Sequence, residues 1–292
     1  RGKDGRPVTV GLDLPGREVR LQAWRVQVGR VHIFLLDSRL ESNRTEDRTL
    51  TDQLYGGDHE HRFLQELVLG IGGLRMLRAL GRDPAGCHMN EGHSAFLALE
   101  RIRVLVQEKG LAFDQAREAV IPGNIFTTHT PVPAGIDRYG ADLIDRYFGS
   151  WYEKLGCDRR AFFALGRARP HDEAEPFSMA ILALKTAGFA NGVSKLHGAV
   201  SRQMFKDLWP EVPVEEVPIT SITNGVHVRS YASEQLNELF TRYVGVRWPF
   251  DAAVTDADWN GPQMLPDSEL WRVHERRRVI LVTWARQRLQ QQ

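Results

Sequence analysis

The chain has 292 residues, 42% of them hydrophobic and 26% charged, with a formal net charge of +1. That length allows one large domain or two ordinary ones, and the balance is that of a globular protein, not a disordered one. Near-neutrality gives no basis for general electrostatic binding to nucleic acid or an anionic membrane. No run of 18 apolar residues signals a transmembrane helix, and no signal peptide opens the sequence. Only six of the 38 basic residues are Lys, which reads as codon bias before it reads as an RNA-binding signal. Cys87 and Cys157 lie far apart with no CxxC pair, so unpaired thiols in a reducing, cytoplasmic compartment are expected. The first residue is not Met, the opening is strand-like, and the last residues lie within a helical pattern. A piece of a longer protein is therefore expected.

The first 37 residues read as β. "PVTVGLDL" and "REVRLQAWRVQV" alternate apolar and polar residues around Pro15-Gly16, a hairpin turn, and "VHIFLLD" from Val31 is a third strand. A polar loop without periodicity follows. Phe63, Leu67, Ile71, Leu74 and Leu77 then recur at helical spacing up to Gly81. After "HMNEGH", Phe96, Leu97, Ile102 and Leu105 predict a second helix ending at Gly110. "GNIFTTHTP" is a short β run stopped by Pro131. Helical patterns return at about 139–155, 177–188, 194–207, 232–243 and 267–289, with "ITSITNG" the clearest strand between them. This alternation predicts an α/β layered domain with a mainly parallel sheet. Function in such sheets collects in loops beyond the carboxyl ends of the strands. "HMNEGH", "TTHTP" and "ITNGVH" all fall in such places.

"HMNEGH" first invites a metal reading. Zinc motifs on helices use ligands at i and i+4, which share a face. His88 and His93 are five apart, about 140° around a helix, and Gly92 disfavours continuous helix between them. Spacing therefore argues against a metal site. The helix that follows gives another reading: its first free N–H groups favour electron-rich oxygens, including sugar hydroxyls and anions. Asn90, Glu91 and His93 can each hydrogen-bond a polyol; equally, they can cap the helix and hold neighbouring loops. "LGIGGLRML" suggests a dinucleotide fingerprint, but its glycines lie inside a helical run and Arg75 stands where the third glycine belongs. Close packing against small residues explains them better. His129, Asn224 and His227 sit in polar loops, where a lone histidine or an Asn-Gly pair is ordinary. The basic stretch "WRVHERRRVILVTWARQRL" is best read as a helix whose stripe of Val273, Ile280, Leu281 and Trp284 packs on a missing part of the protein.

Taken in order, three stretches resemble the α-glucan phosphorylases, the glycogen and maltodextrin phosphorylases, in their shorter prokaryotic branch. They are "LYGGDHEHRFLQELVLGIGGLRMLRALG"; "HMNEGHSAFLALERIR" followed by "NIFTTHTPVPAGIDRY"; and "AGFANGVSKLHGAVSRQMF" leading to "ITSITNGVHVRSY". The resemblance implies an incomplete Rossmann-like N-terminal domain of a GT-B glycosyltransferase fold across residues 1–292, with a β-hairpin region at its start. It implies a hexosyltransferase that uses inorganic phosphate to cleave the terminal α-1,4-linked glucose of a glucan, giving glucose 1-phosphate with retention. His129 and Asn224 match residues that contact the glucose 6-hydroxyl. Glu91 and His93 match residues near the substrate cleft. Asp58, in "YGGD" at Tyr55–Asp58, matches a loop beside the entrance. Pyridoxal phosphate is implied for the whole enzyme, but its lysine motif and the phosphate-holding cations have no counterpart in this sequence. No nucleic-acid or membrane partner is expected; a homo-oligomer is compatible. The alternatives are a nucleotide-sugar glucosyltransferase of the same fold, a non-catalytic glucan-binding domain and, last, a zinc hydrolase.

Overall fold

Alternation in the first residues produces a three-stranded antiparallel meander, β1 (Thr9–Leu14), β2 (Arg17–Val28) and β3 (Val31–Asp37). A computed structural model describes residues 7–54, 56–245 and 265–291. Pro15-Gly16 makes the first turn, with Gly16 at φ 70°, as the second corner of a type II turn requires. Leu12, Leu14, Val19 and Leu21 are buried near this turn. At the other end Trp24, Val26 and Val28 lie opposite Leu35, Ile33 and Val31, and all six are exposed. The polar loop after β3 is ordered by side chains in place of periodicity. Asn43 donates to the carbonyls of Arg20 and Ser38 and accepts from Arg20 N, and Arg17 pairs with buried Asp47 at 2.8 Å.

The helical run expected over 60–81 forms, with one correction. It is α1 (His59–Leu67) and α2 (Gly73–Ala79) joined by a π turn at Val68–Gly72. A π turn carries one extra residue per turn and shifts the face presented to the core. The glycines there serve packing. A Cβ on Gly70 would lie 2.8 Å from Leu97 N and 2.9 Å from Phe96 Cβ, and one on Gly72 would lie 2.5 Å from Leu21 Cδ1. Arg75, the residue that spoils the dinucleotide pattern, pairs with buried Glu100 at 3.1 Å and donates to Gly11 O at 2.7 Å.

Strand and helix then alternate. β4 (Cys87–Asn90) leads through a 3₁₀ turn at Gly92–Ser94 into α3 (Phe96–Lys109) and α4 (Phe113–Val120). β5 (Asn124–Thr128) and the short β6 (Arg138–Tyr139) follow. The pattern expected at 139–155 divides into α5 (Ala141–Phe148) and α6 (Trp151–Leu155), and α7 (Arg159–Gly166) comes after them. The pattern at 177–188 opens as a strand, β7 (Phe177–Ser178), before α8 (Met179–Lys185). β8 (Phe189–Gly192), α9 (Lys195–Phe205) and β9 (Thr220–Ser221) complete the unit. β9 is shorter than "ITSITNG" suggests, although Ile222 N and Asn224 N still bond to Gly192 O and Val193 O. The sheet runs β4-β5-β8-β9 with every pairing parallel, while β6 and β7 form a separate antiparallel pair. Its helices bury an aromatic core of Phe63, Phe96, Tyr139, Phe148, Phe162 and Phe177, with neighbouring ring centroids 4.7–6.1 Å apart.

Residues 1–224 form one unit and 225–292 a second. The second holds α10 (Val228–Tyr231), α11 (Glu234–Val244) and α12 (Asp267–Gln290). Tyr243 and Arg242 of α11 both reach Glu269 of α12, at 2.9 and 3.1 Å. Ile280, Leu281 and Trp284 are exposed along α12, and Val273 is half-buried. No helix among the described residues is long and apolar enough to cross a membrane.

The three helical glycines make a graded test. Gly70→Ala meets backbone and should cost about 1–3 kcal/mol. Gly72→Ala meets the end of one side chain and should cost less. Gly73→Ala finds its first neighbour at 3.9 Å and should be neutral or slightly stabilising. Urea denaturation of the three variants would show that order; equal effects would contradict the packing account.

Candidate functional site at the carboxyl edge of the sheet

Parallel pairing sends all four strands out at one edge. Glu91 follows β4, His129 follows β5, Val193 follows β8 and Asn224 follows β9. A line of polar contacts laces this edge together. His88 Nε2 donates to Thr127 Oγ1 at 2.7 Å, and that hydroxyl donates to Asn191 Oδ1 at 2.9 Å. This direction places the His88 proton on Nε2. Asn191 Nδ2 donates to Gly192 O, which also accepts from Ile222 N; Asn224 N bonds Val193 O at 3.1 Å. His129 and Asn224 remain exposed on this scaffold.

Glu91 lies across the gap between the first two exits. Its N–H donates to Thr127 O at 2.8 Å. Its Oε2 accepts from His129 N at 2.7 Å, and from Thr130 N and Thr130 Oγ1, both at 2.9 Å. Its backbone has φ 64° and ψ 179°, a region that glycine enters freely and other residues enter at a cost. Among the described residues it is the only non-glycine with positive φ.

His93 joins a different group. Its Nδ1 lies 3.4 Å from both Glu66 Oε1 and Asp137 Oδ2. Arg62 of α1 grips Asp137 through two bonds of 2.6 and 2.8 Å, and Tyr139 donates to Glu66 Oε2 at 2.7 Å. Hydrogen bonds to Asp137 and Glu66 raise His93 to about 9, so it is an imidazolium at neutral pH. Burial works to raise Asp137, but hydrogen bonds from His93 and Arg62 outweigh it and bring it down to about 2. Burial lifts Glu66 to about 7 against the pull of His93 and Tyr139. Burial and the adjacent Glu66 push the Tyr139 phenol up as well.

Glu66, His93 and Asp137 offer ligand atoms within 4.8 Å of one another. A metal there would have to displace the His93 proton and sit beside the Arg62 guanidinium, 3.5 Å from Nδ1. His88 is not part of this group, and its Nε2 bonds Thr127 Oγ1.

Of the residues singled out by sequence, Glu91 and His129 are joined directly, and Asn224 shares the same edge. His93 is held in the charged group. Asp58 caps α1, accepting from His61 N at 2.8 Å, and Tyr55 lies outside the described residues. Of the two readings of "HMNEGH", the one in which its side chains cap the following helix does not hold for the cap positions. A 3₁₀ turn leads into α3, and neither Glu91 nor Ala95 makes a side-chain cap bond. Sequence reasoning missed Arg62, Glu66, Thr127, Thr130, Asp137 and Asn191. One signal was present: Glu66 stands on the apolar face of its helix, three residues after Phe63 and beside Leu67, and a buried carboxylate there needs partners.

In open parallel α/β sheets ligands bind beyond the carboxyl ends of the strands, the edge along which these polar side chains gather. A family model described as carbohydrate phosphorylase matches residues 77–257, and the chain belongs to that family. It is 41% identical to the maltodextrin phosphorylase of Thermococcus litoralis over 270 residues, 92% of this chain and 31% of that protein. It is 42% identical to the glycogen phosphorylase of Mycobacterium tuberculosis over 300 residues, 99% of this chain and 34% of the relative. The glycogen phosphorylase of Aquifex aeolicus is 33% identical over 96% of the chain and 40% of its own length. The chain thus spans roughly a third of the length of the curated relatives it matches.

The charged group makes stability depend on pH. His93, raised from its ordinary 6.5 to about 9, adds stability that is complete below 6.5 and lost as pH rises through 9. Glu66, raised from 4.5 to about 7, acts with the same sign between those values. Asp137 has the opposite sign, and its contribution is lost only as pH falls from 3.8 through about 2. Unfolding free energy should therefore fall between pH 6.5 and 9.5, by roughly 1–3 kcal/mol from His93. His93→Gln should flatten that fall; an unchanged pH slope in denaturant titrations would contradict it.

Proposed function

We propose that this chain is part of the N-terminal, Rossmann-like domain of a GT-B α-glucan phosphorylase and forms one wall of its glucose site. The observation that carries the reading is the placement of Glu91, His129 and Asn224 along one edge of a parallel sheet, with Glu91 and His129 joined directly. They come from three separate sequence motifs. Two relatives that support it are named for glycogen and maltodextrin. In the proposed reaction a phosphate oxygen bonds to C1 of the terminal glucose on the face from which the glucan departs, the α-1,4 bond breaks, and the proton of the phosphate passes to the glucan oxygen. Glucose 1-phosphate leaves with retained configuration. His129 and Asn224 bind the 6-hydroxyl and hold the sugar in register for that attack. His129 is held by the Glu91 carboxylate and Asn224 by its backbone bond to Val193, so both groups meet the sugar already positioned.

Pyridoxal phosphate would supply proton transfer through its phosphate, but the described lysines do not fit its attachment. Lys109, Lys195 and Lys206 are exposed, and Lys154 reaches Asp13 at 3.4 Å. Burial lowers Lys185, yet its Nζ donates to Ala164 O and Arg167 O at the end of α7. The cofactor and phosphate subsites are assigned to the remainder of the enzyme. A cytoplasmic setting suits the two thiols, since burial raises Cys157 to about 11 and keeps it protonated.

The whole enzyme should release glucose 1-phosphate from maltodextrin only when phosphate is present. The 292-residue chain alone should release none. His129→Ala and Asn224→Ala should each lower kcat/KM by about 0.5–1.5 kcal/mol, the net worth of one hydrogen bond to a hydroxyl. Unchanged kcat/KM in both variants would refute their role, and dependence on ADP- or UDP-glucose would refute the reaction.

A further inference from the structure

We infer that Glu91 is a positioning residue, one that acts on the sugar only by fixing the loop that carries His129. The inference rests on the functional reading above and assigns Glu91 a different task from direct substrate contact. Three observations support it. First, one carboxylate oxygen receives three donors, and all three belong to residues 129 and 130. That oxygen is thereby committed to the loop, and only Oε1 keeps capacity for a sugar hydroxyl. Second, Glu91 is 9% exposed while the adjacent His129 is exposed, so the carboxylate lies beneath the loop whose side chain is presented. Third, Glu91 adopts φ 64° and ψ 179°. That conformation suits glycine, and a glutamate persists there when its side chain has a task that glycine cannot perform.

The backbone makes the same connection from the other side. Glu91 N donates to Thr127 O, so main chain and side chain of one residue bracket the turn from 127 to 130. Gly92 allows this close seat, since a Cβ there would lie 2.9 Å from Met179 Cβ. Removing the carboxylate frees two backbone N–H groups and a hydroxyl without removing any group that touches the sugar.

The test uses the whole enzyme and three variants: Glu91→Gly, Glu91→Gln and Thr130→Val. Thr130→Val removes one of the three donors and leaves the backbone of residue 91 alone. Glucan elongation is measured with glucose 1-phosphate and with 6-deoxyglucose 1-phosphate, which lacks the hydroxyl assigned to His129. Each variant is also combined with His129→Ala. Both Glu91 variants should lower kcat/KM for glucose 1-phosphate by about 2- to 10-fold, no more than His129→Ala itself does, because the loss passes through that one contact. Thr130→Val should fall between them and wild type. The loss should shrink severalfold on the 6-deoxy substrate and nearly vanish in the His129→Ala background, because the two residues act in one line. Losses that persist on the 6-deoxy substrate and multiply with His129→Ala would show direct contact between Glu91 and the sugar and overturn the inference. Full activity in the Glu91 variants would overturn it too. Hydrogen exchange at the amides of 129 and 130 separates the inference from the functional reading. Exchange at least 10-fold faster in Glu91→Gly, which removes the acceptor oxygen, supports the tie even if wild type proves inactive on phosphate and glucan. Unchanged exchange refutes it whatever the enzyme's activity.

Discussion

The parallel register of β4, β5, β8 and β9 is the constraint on which the site depends. Antiparallel strands would send alternate loops to opposite edges, whereas parallel strands deliver every exit to one. Residues 91, 129 and 224 are far apart in sequence and share an edge for that reason alone. Pairing also sets which side chains face one another. Thr127 is in register with Asn90 and Asn191, and its hydroxyl bridges the neighbouring strands through His88 of β4 and Asn191 of β8. Thr127 and Asn191 are buried, and their mutual bond satisfies polar groups that would otherwise oppose folding.

The charged group behind this edge fixes the same loops from the helical layer. Arg62 and Glu66 stand one turn apart on α1. Arg62 takes Asp137 from the segment after β5, and Glu66 takes Tyr139, while His93 reaches both carboxylates from the segment after β4. Two segments thus meet at α1. Buried ion pairs seldom add much net stability, but deleting one partner leaves a charge stranded and costs several kcal/mol. Such a group specifies an arrangement more than it strengthens one. Here it specifies how the exits of β4 and β5 lie against the helix.

The sequence disclosed the layers and much of the edge, because both are written in local patterns. Alternation in "REVRLQAWRVQV" and helical spacing from Phe63 to Leu77 are periodic signals with direct geometric meaning. The π turn was not legible, because the apolar period survives it; only the glycines hinted that something approaches closely. The short strands Cys87–Asn90 and Phe189–Gly192 lack a pattern long enough to establish a period. The partners of His93 were hidden for a different reason. Glu66 and Asp137 lie 27 and 44 residues from it in sequence, and nothing in a chain marks which distant carboxylates will share a proton donor.

The same limit applied to Glu91, and its conformation explains why. In "HMNEGH" the glycine is the residue that disfavours continuous helix. In the fold the left-handed position falls one residue earlier, on the glutamate, while Gly92 is small because Met179 and Ala180 press against it. Holding a glutamate at φ 64° costs on the order of 1–3 kcal/mol. A hydrogen bond to a charged group contributes about 1.5–3 kcal/mol, so two of the three that Glu91 accepts outweigh the strain. The polar and small residues of the motif are therefore divided by task. Glycine permits close packing, and glutamate accepts an unfavourable backbone so that its carboxylate can seat the next loop.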